Sequence, residues 1–219
     1  MNRTDRYSSI LDPAVLEQSS AAVIGTGAIG RQVAIQLSAM GVGELFLIDH
    51  DRVNEDNLGT QGWLTHEIGD PKVVALANYL KAVNPEGRVH AQVRRFKKTK
   101  DSIFPVIFAC VDNMDVRRLI FEATAKARKS ELFIDGRMSA EAFRAFAVTK
   151  DNGGIDYYED TLFGENEATQ GVCTARTTIY CSNVIAGYMV SLFSQYLRGW
   201  GLPKEVEMTI AGFGMEAIF

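Results

Sequence analysis

The sequence predicts an α/β protein with a doubly wound, mainly parallel sheet and antiparallel strands added in the C-terminal half. Two observations lead to this prediction. In the first half of the 219-residue chain, short apolar runs alternate with segments whose apolar residues recur at helical spacing. In the second half, residues 143–149 and 206–213 alternate apolar and polar side chains, which is typical of antiparallel strands with one solvated face.

The elements of the first half follow one another as strand, helix, strand. Strands are predicted at 21–24, 44–49, 88–96, 106–111 and 131–135, and helices at 29–40, 71–83 and 114–129. The glycines of "GVG" (41–43) end the first helix. In "GDPK" (69–72), Asp70 is the expected N-cap of the second helix and Pro71 its first residue.

The second half contains two unusual segments. Residues 151–173 form a long stretch without a periodic pattern and carry six acidic and no basic residues, which indicates a functional lid, a mobile segment or disorder. Residues 177–197 carry no charge and have the length of a membrane span. Their large apolar residues form a stripe at helical spacing, so we interpret this segment as a buried or interface helix and expect no membrane span. We find no linker, and we predict a single domain over residues 1–219.

Composition narrows the class of protein. The net charge of −4 gives no reason to expect binding of nucleic acid through its phosphates. Three cysteines, an odd number without paired spacing, favour a reducing compartment and cannot supply a four-cysteine zinc clamp. The polar N-terminus shows no secretory signal. We therefore expect a cytoplasmic protein.

The glycine-rich stretch "GTGAIG" (25–30) lies between a predicted strand and a predicted helix. Gly25, Gly27 and Gly30 would allow a tight turn and a close approach to a phosphate group, which the helix N-terminus would attract. Asp49 ends the next strand, where a carboxylate can bind ribose hydroxyls. The pattern indicates a Rossmann-like nucleotide site, although these features alone do not separate NAD from ATP.

Three further side chains favour ATP over NAD. Arg31 and Lys72 lie in the first turns of helices, where a cation is unfavourable unless an anion such as a polyphosphate is bound nearby; either could instead point into water. Asp112 follows a buried strand at the expected ligand-binding edge of the sheet. A carboxylate beside phosphates is repelled unless a metal bridges them, so Asp112 is a predicted Mg²⁺ ligand, with helix N-cap as its alternative role.

The motifs "RY" (6–7), "GTGAIG", "DHDRVNEDNL" (49–58), "GDPK" and "VDNMDVRR" (111–118) occur in the order found in the ThiF/MoeB/HesA family. The sequence resembles that family over residues 6–198. The resemblance implies that Asp49 binds the ribose of ATP, Asn57 and Lys72 its phosphates, and Asp112 the Mg²⁺. Asp51 and Asn54, together with Gln61 of "NLGTQ" (57–61), would complete the pocket.

The resemblance also implies an activity, that of the adenylation domains related to ubiquitin-activating enzymes. In that reaction the C-terminal carboxylate of a ubiquitin-like or sulfur-carrier protein attacks the α-phosphate of ATP and forms an acyl-adenylate. Many members pass the acyl group to a cysteine, and Cys173, at the end of the acidic stretch, is the candidate here. Cys181 and Cys110 are expected to be core residues. A homodimer is implied as well.

The sequence departs from the family pattern at two arginines. Ser9 and Thr60 stand where the family has "RYxRQ" and "NLxRQ", whose arginines contact the triphosphate. Our hypothesis is that Arg31 replaces part of this charge. The zinc-binding cysteine pairs of the family are absent, so we expect no zinc and interpret the chain as a divergent member.

Other functions stay open at this point. The acceptor could be a peptide C-terminus or a tRNA nucleoside, with "RRFKKTK" (94–100) as a local basic patch. The domain could be a nucleotide-binding scaffold with reduced catalysis, although the presence of Lys72 and Asp112 disfavours this. A nicotinamide-dependent dehydrogenase is disfavoured because the chain offers no separate substrate domain and no obvious catalytic histidine.

Overall fold

A single sheet forms the centre of the computed structural model, which describes residues 7–98, 103–163 and 177–219. Its strands are β1 (Ser20–Ile24), β2 (Glu44–Asp49), β3 (Arg88–Val93), β4 (Val106–Ala109), β5 (Leu132–Ser139), β6 (Ala142–Thr149), β7 (Glu205–Thr209) and β8 (Gly214–Ile218). They lie in the order β3-β2-β1-β4-β5-β6-β7-β8. Strands β1 to β5 pair in parallel and β5 to β8 antiparallel. The predicted fold class is confirmed.

Helices cover both faces of this sheet. They are α1 (Pro13–Gln18), α2 (Ala28–Met40), α3 (Asp56–Gln61), α4 (Lys72–Val83), α5 (Met114–Ala123), α6 (Gly154–Asp160) and α7 (Ile179–Leu197), with a 3-10 turn at Thr65–Glu67. Helices α1, α2, α4 and α7 contribute to one apolar cluster. Helices α5 and α6 contribute to a second cluster on the opposite face. The chain leaves β1 toward β2 on one side and returns to β4 on the other, which places a crevice at the carboxyl ends of these strands.

Several predicted boundaries were wrong by one residue or by a turn. Pro71 is the N-cap of α4, which begins at Lys72, and Asp70 accepts no capping hydrogen bond. Helix α5 ends at Ala123 instead of residue 129, because the chain turns at Thr124. The predicted strand over 206–213 is a hairpin, in which β7 ends at Thr209 and β8 begins at Gly214.

The stretch over 151–173 is not without structure where it is described. Residues Gly154–Asp160 form α6, whose Tyr158 is fully buried against Phe121, Phe133 and Phe146. The short aromatic run "DYYED" (156–160) lacks a full helical period, so the pattern alone did not reveal this helix. Residues 164–173 of the stretch lie outside the described residues.

The uncharged helix α7 is part of the core. Four residues of its apolar stripe, Ile185, Met189, Leu192 and Phe193, are at most 2% exposed and belong to the same cluster as α2 and the inner side chains of β5 and β6. Tyr188 and Tyr196 of the stripe are partly buried and pack against this cluster. A Cβ on Gly136 would lie 2.6 Å from the sulfur of Met189, so the helix approaches β5 closely. The sequence left open whether this helix is buried or forms an interface, and the structure shows that it is buried in the core. Within the described ranges, no helix is both long and apolar enough to cross a membrane.

Candidate functional site

A cavity of about 1050 Å³ opens at the carboxyl ends of β1, β2 and β4 and continues along β5, β6 and β7. Its lining includes Gly25, Gly27, Asp49 and Lys72 at one end and Arg144 at the other. The cavity therefore joins the predicted nucleotide site to the open face of the antiparallel strands.

The three glycines of the loop between β1 and α2 have different roles. Gly25 has φ +84°, and a Cβ there would lie 2.5 Å from the backbone oxygen of Cys110. A Cβ on Gly30 would lie 1.9 Å from the oxygen of Gly25, so Gly30 permits the close contact between helix and strand. A Cβ on Gly27 would meet only Gln61, at 3.9 Å, which leaves the N-terminus of α2 open for a ligand.

Asp49 fixes this glycine loop to the end of β2. Its Oδ2 accepts hydrogen bonds from the backbone N–H of Thr26 at 2.7 Å and from the Thr26 hydroxyl at 3.1 Å. Its Oδ1 accepts one from the backbone N–H of Asp51 at 2.9 Å. Oδ2 thus already accepts two hydrogen bonds, whereas Oδ1 accepts one and has a second lone pair, so Asp49 can still accept a hydrogen bond from a ribose hydroxyl through Oδ1.

Lys72 is the first residue of α4, and its side chain is only 8% exposed. Its Nζ lies 3.1 Å from Oδ2 of Asp51, and its backbone N–H donates to the oxygen of Asp51 at 2.9 Å. This pair compensates the unfavourable position of a cation at the positive end of a helix. Asp51 itself is about half exposed, at 51%, so water can solvate its carboxylate if Lys72 turns to a bound phosphate. Lys72 could also contact the phosphate and Asp51 together.

Asp112 is exposed and lines the cavity directly after β4. The N-cap of α5 is Asn113, whose side chain accepts from the N–H of Val116, so Asp112 does not have its alternative capping role. Within the described residues, Asp112 makes no hydrogen bond or ion pair. Mg²⁺ is typically held by one or two carboxylates together with phosphates and waters, and a free carboxylate beside a phosphate loop fits that requirement.

A second group of possible metal ligands consists of Asp49, His50 and Asp51, whose ligand atoms lie within 4.8 Å of one another. Both carboxylates are engaged, Asp49 by Thr26 and Asp51 by Lys72. The carboxylates of this group are therefore less available to bind a metal ion than the carboxylate of Asp112.

Not all predicted site residues meet at the cavity. Gln61 lines it and accepts a hydrogen bond from Trp63. Asn54 and Asn57 hydrogen-bond each other, at 3.3 Å, and neither is among the described residues that line the cavity. Cys173 lies outside the described residues.

Arg31 is also absent from the described lining of the cavity. Its guanidinium carbon lies 4.8 Å from the ring centre of Trp63 and 5.3 Å from that of Tyr79. Burial lowers the pKa of Arg31, and Glu67 opposes this effect. The Arg31 side chain therefore packs against aromatic rings. Our hypothesis that it contacts phosphate stays a prediction, and its position away from the described cavity lining does not support that hypothesis.

At the far end of the cavity, three lining arginines bind buried carboxylates behind the cavity wall, and the sequence did not predict these pairs. Asp135, which is fully buried, accepts hydrogen bonds from Arg117 and Arg137, both at 2.7 Å, and from the hydroxyl of Tyr158 at 3.0 Å. Arg144 forms a double hydrogen bond with the buried Glu205. We call Asp135, Arg117, Arg137 and Tyr158 the Asp135 cluster. The only signal in the sequence was a charge that ends or interrupts an apolar strand, as in "ELFID" (131–135).

Of the two cysteines within the described residues, Cys181 is in the core as predicted, and Cys110 is only partly buried. Cys110 directly follows β4 and lines the cavity, and desolvation by the surrounding protein raises the pKa of its thiol far above the usual range. Cys181 is fully buried on α7, and burial raises the pKa of its thiol as well. A thiol that stays protonated is a poor nucleophile.

Comparison with known proteins gives the family. The profile of the ThiF family matches residues 11–215, so the chain belongs to the ThiF family. It is similar to ubiquitin-like modifier-activating enzyme 5 of Bombyx mori (30% identical over 216 residues, 85% of this chain and 52% of the relative). The same enzyme of Drosophila simulans is 27% identical over 226 residues, which cover 92% of this chain and 54% of the relative. The chain thus spans about half the length of the curated relatives it matches.

Solved structures show the same fold. A crystal structure of E. coli MccB with ATP has a TM-score of 0.81 at 18% identity, over 99% of this chain and 71% of that one. E. coli MccB with MccA-N7isoASN also has a TM-score of 0.81, at 17% identity, over 99% of this chain and 72% of that one. PaaA has a TM-score of 0.75 at 18% identity, over 98% and 68% of the two chains.

Proposed function

We propose that this chain is an ATP-dependent adenylyltransferase that activates the C-terminal carboxylate of a ubiquitin-like or sulfur-carrier protein. The observation that carries the proposal is the continuity of the cavity, which runs from the glycine loop and Lys72 to the antiparallel strands at Arg144. At about 1050 Å³ it exceeds what a single small ligand needs, and it has room for a nucleotide and an extended chain end together. Membership of the ThiF family supports the same reaction.

In the proposed reaction, a carboxylate oxygen of the acceptor attacks the α-phosphorus. The new C–O–P linkage forms while the bond to the β-phosphate oxygen breaks, and pyrophosphate leaves. Lys72 and the N-terminus of α2 would stabilise the charge that develops on the leaving group, and Asp49 would hold the ribose. Bound at Asp112, Mg²⁺ would neutralise phosphate charge. The reaction depends on charge stabilisation and alignment, because no proton is transferred in this step.

A second step through Cys173 is part of the proposal. Its thiolate would attack the acyl carbon, and AMP would leave as the C–O bond breaks. Phe163 and Thr177, which precede and follow the segment 164–176, both line the cavity. Cys173 is four residues from Thr177, and an extended chain spans at most about 14 Å over that distance. The high thiol pKa values of Cys110 and Cys181 make them less suitable for this role.

The remaining features of the proposed enzyme come from the sequence. We propose that residues 1–219 form one adenylation domain and that the protein is a cytoplasmic homodimer. We also propose that its metal is Mg²⁺ and that it has no zinc and no nucleic-acid partner. The homodimer depends on the family resemblance alone, because the stripe of α7 is buried in the core. Sedimentation equilibrium would test it, and a monomer at micromolar concentration would contradict it.

A peptide is the second candidate acceptor. Structures of E. coli MccB, which has the same fold, contain MccA or its derivatives. The cavity at Arg144 would accept a short chain end as readily as the tail of a folded protein, since only the tail enters.

The test of the proposed function is ATP–pyrophosphate exchange with labelled pyrophosphate. Candidate acceptors are the ubiquitin-like and sulfur-carrier proteins from the same genome, each also prepared with an amidated C-terminus as the matched control. We expect exchange with the free carboxylate and none with the amide. Exchange that is the same for both forms, or absent with every carrier and peptide, would contradict the proposal.

A further inference from the structure

The cavity crosses the edge of the sheet, and its two sides differ in chemistry. On the side of α2 and α4 it offers the open N-terminus at Gly27 and the cation of Lys72. On the side of α5 it is lined by Ile48, Phe96, Val116 and Leu119, which we call the apolar slot. Ile48 and Phe96 belong to the buried cluster on this face, and Val116 packs against it.

The positions of Asp49 and Lys72 define how a nucleotide would lie. With the ribose at Asp49, the phosphates would extend toward Gly27 and Lys72, because these groups attract anions. The base would then lie on the other side of the sheet edge, in the apolar slot. A planar base gains most from apolar and flat side chains above and below it.

Among the described residues, five arginines line the cavity, and four of them already hydrogen-bond other side chains. Arg94 hydrogen-bonds Gln92; Arg117 and Arg137 bind Asp135; and Arg144 binds Glu205. Arg95 is the fifth. It follows β3 and immediately precedes Phe96 of the slot. Its side chain is exposed and has no hydrogen bond or ion pair to any residue of the described ranges.

We propose that the guanidinium of Arg95 stacks on the adenine base of the bound nucleotide and closes the apolar slot. This inference rests on the proposed ATP site and adds the residue that holds the base. Guanidinium is planar and weakly hydrated, so it stacks on aromatic rings as well as it pairs with anions. Each of the other four arginines could rotate onto a ligand only by breaking a hydrogen bond, whereas the side chain of Arg95 has none to break within the described residues.

The alternative role for Arg95 is a phosphate contact that replaces the charge missing at Ser9 and Thr60. The two roles differ in what they require of the side chain. Stacking requires the flat guanidinium and acts on the base, so its contribution is the same for AMP and ATP. A phosphate contact requires only positive charge, increases with the number of phosphates, and is largely retained by lysine.

Calorimetric dissociation constants for AMP and Mg²⁺–ATP would separate these roles in the wild-type chain, Arg95→Ala and Arg95→Lys. The matched control is Arg88→Ala, at the opposite end of β3, where the exposed side chain of Arg88 pairs with Glu44. We expect Arg95→Ala and Arg95→Lys to raise the dissociation constants of AMP and Mg²⁺–ATP by about tenfold, and by the same factor for both nucleotides. The control should bind like the wild type.

Two results would overturn the stacking role. If Arg95→Lys binds both nucleotides like the wild type, and Arg95→Ala raises the dissociation constant of Mg²⁺–ATP much more than that of AMP, Arg95 contacts phosphate. If neither variant changes either dissociation constant, Arg95 stays in solvent. Unliganded thermal midpoints should be equal in all variants, because Arg95 is exposed. Failure of the wild type itself to bind ATP would overturn the proposed function, whereas wild-type binding with unaffected variants would overturn only this inference.

Discussion

The two halves of the sheet use charge differently. In the parallel half, around β1, β2 and β4, the charged side chains line the cavity, and Lys72, itself only 8% exposed, is paired with a half-exposed Asp51 at the cavity rim. In the antiparallel half, the Asp135 cluster is enclosed between the sheet and α6, and Asp135 is fully buried. The first kind of charge is free to exchange with a ligand, and the second is fixed.

This difference separates binding from stability. Removing a rim charge leaves its partner in contact with water, so folding is little affected while an anionic ligand is lost. Removing a buried charge leaves its partners desolvated and unpaired, which is costly. Burial alone would lower the pKa of Arg117, yet Asp135 outweighs it and raises that pKa, so this carboxylate stabilises the charged form.

The largest expected effect is on the Asp135 cluster. Asp135→Ala would leave Arg117 and Arg137 without their carboxylate, and we expect the free energy of unfolding in urea to fall by about 3–5 kcal/mol. The control is Glu44→Ala, which removes the partly exposed partner of the exposed side chains of Arg88 and His90 and should cost less than about 1 kcal/mol. Equal losses in the two variants would remove the distinction between the halves.

The glycine loop is the exception in the parallel half, because its contribution to stability is steric. Gly30→Ala would place a Cβ 1.9 Å from the backbone oxygen of Gly25, so we expect a loss of about 2–4 kcal/mol or failure to fold. In Gly59→Ala, within α3, the Cβ has no atom within 4 Å, and helix propensity predicts a gain of about 0.5–1 kcal/mol. Thermal unfolding of both variants measures this contrast. A stable Gly30→Ala protein would show that the contact between helix and strand is less close than the structure has it.

The rim lysine should affect binding and not folding. Lys72→Ala removes a charge-assisted contact to phosphate, and we expect the dissociation constant for Mg²⁺–ATP to rise about 10- to 100-fold with little change in stability. Lys126→Ala, which removes an exposed lysine paired with Glu159, is the control and should bind normally. If Lys72→Ala unfolds the chain, Lys72 is structural and the rim is not free to exchange.

The smallest expected effect is the loss of stability at acidic pH that comes from Glu205. Burial would raise the pKa of Glu205, but hydrogen bonds from Arg144 and Tyr157 outweigh it, so its pKa lies below the usual range. Such a group adds stability above its unfolded pKa, near about 4.3, and that stability is lost as the pH falls through the lower folded pKa. Urea unfolding between pH 6 and pH 3 should therefore show a decline that is shallower in Glu205→Gln. An identical slope would contradict the role of this pair.

The two halves also differ in how well the sequence predicted them. The glycines, Asp49, Lys72 and Asp112 stand in short motifs whose local context determines their position, and all except Gly30, which packs beneath the loop, line the cavity. The Asp135 cluster joins residues from α5, β5 and α6, and Tyr158 lies 23 positions and Arg117 18 positions from Asp135, so no local pattern indicates it. Arg31 was assigned to phosphate because of its place in the helix, but its neighbours Trp63 and Tyr79 come from distant parts of the chain.

Binding of Mg²⁺–ATP in the cavity can be measured as a rise of the thermal midpoint of unfolding. A ligand at 100 times its dissociation constant adds about 2.7 kcal/mol, which for a domain of this size is a rise of roughly 5–10 °C. We expect this rise with Mg²⁺–ATP, a smaller one in Asp112→Ala, and none with NAD⁺. A rise with NAD⁺ alone, or no rise with ATP, would show that the cavity is not a site for Mg²⁺–ATP.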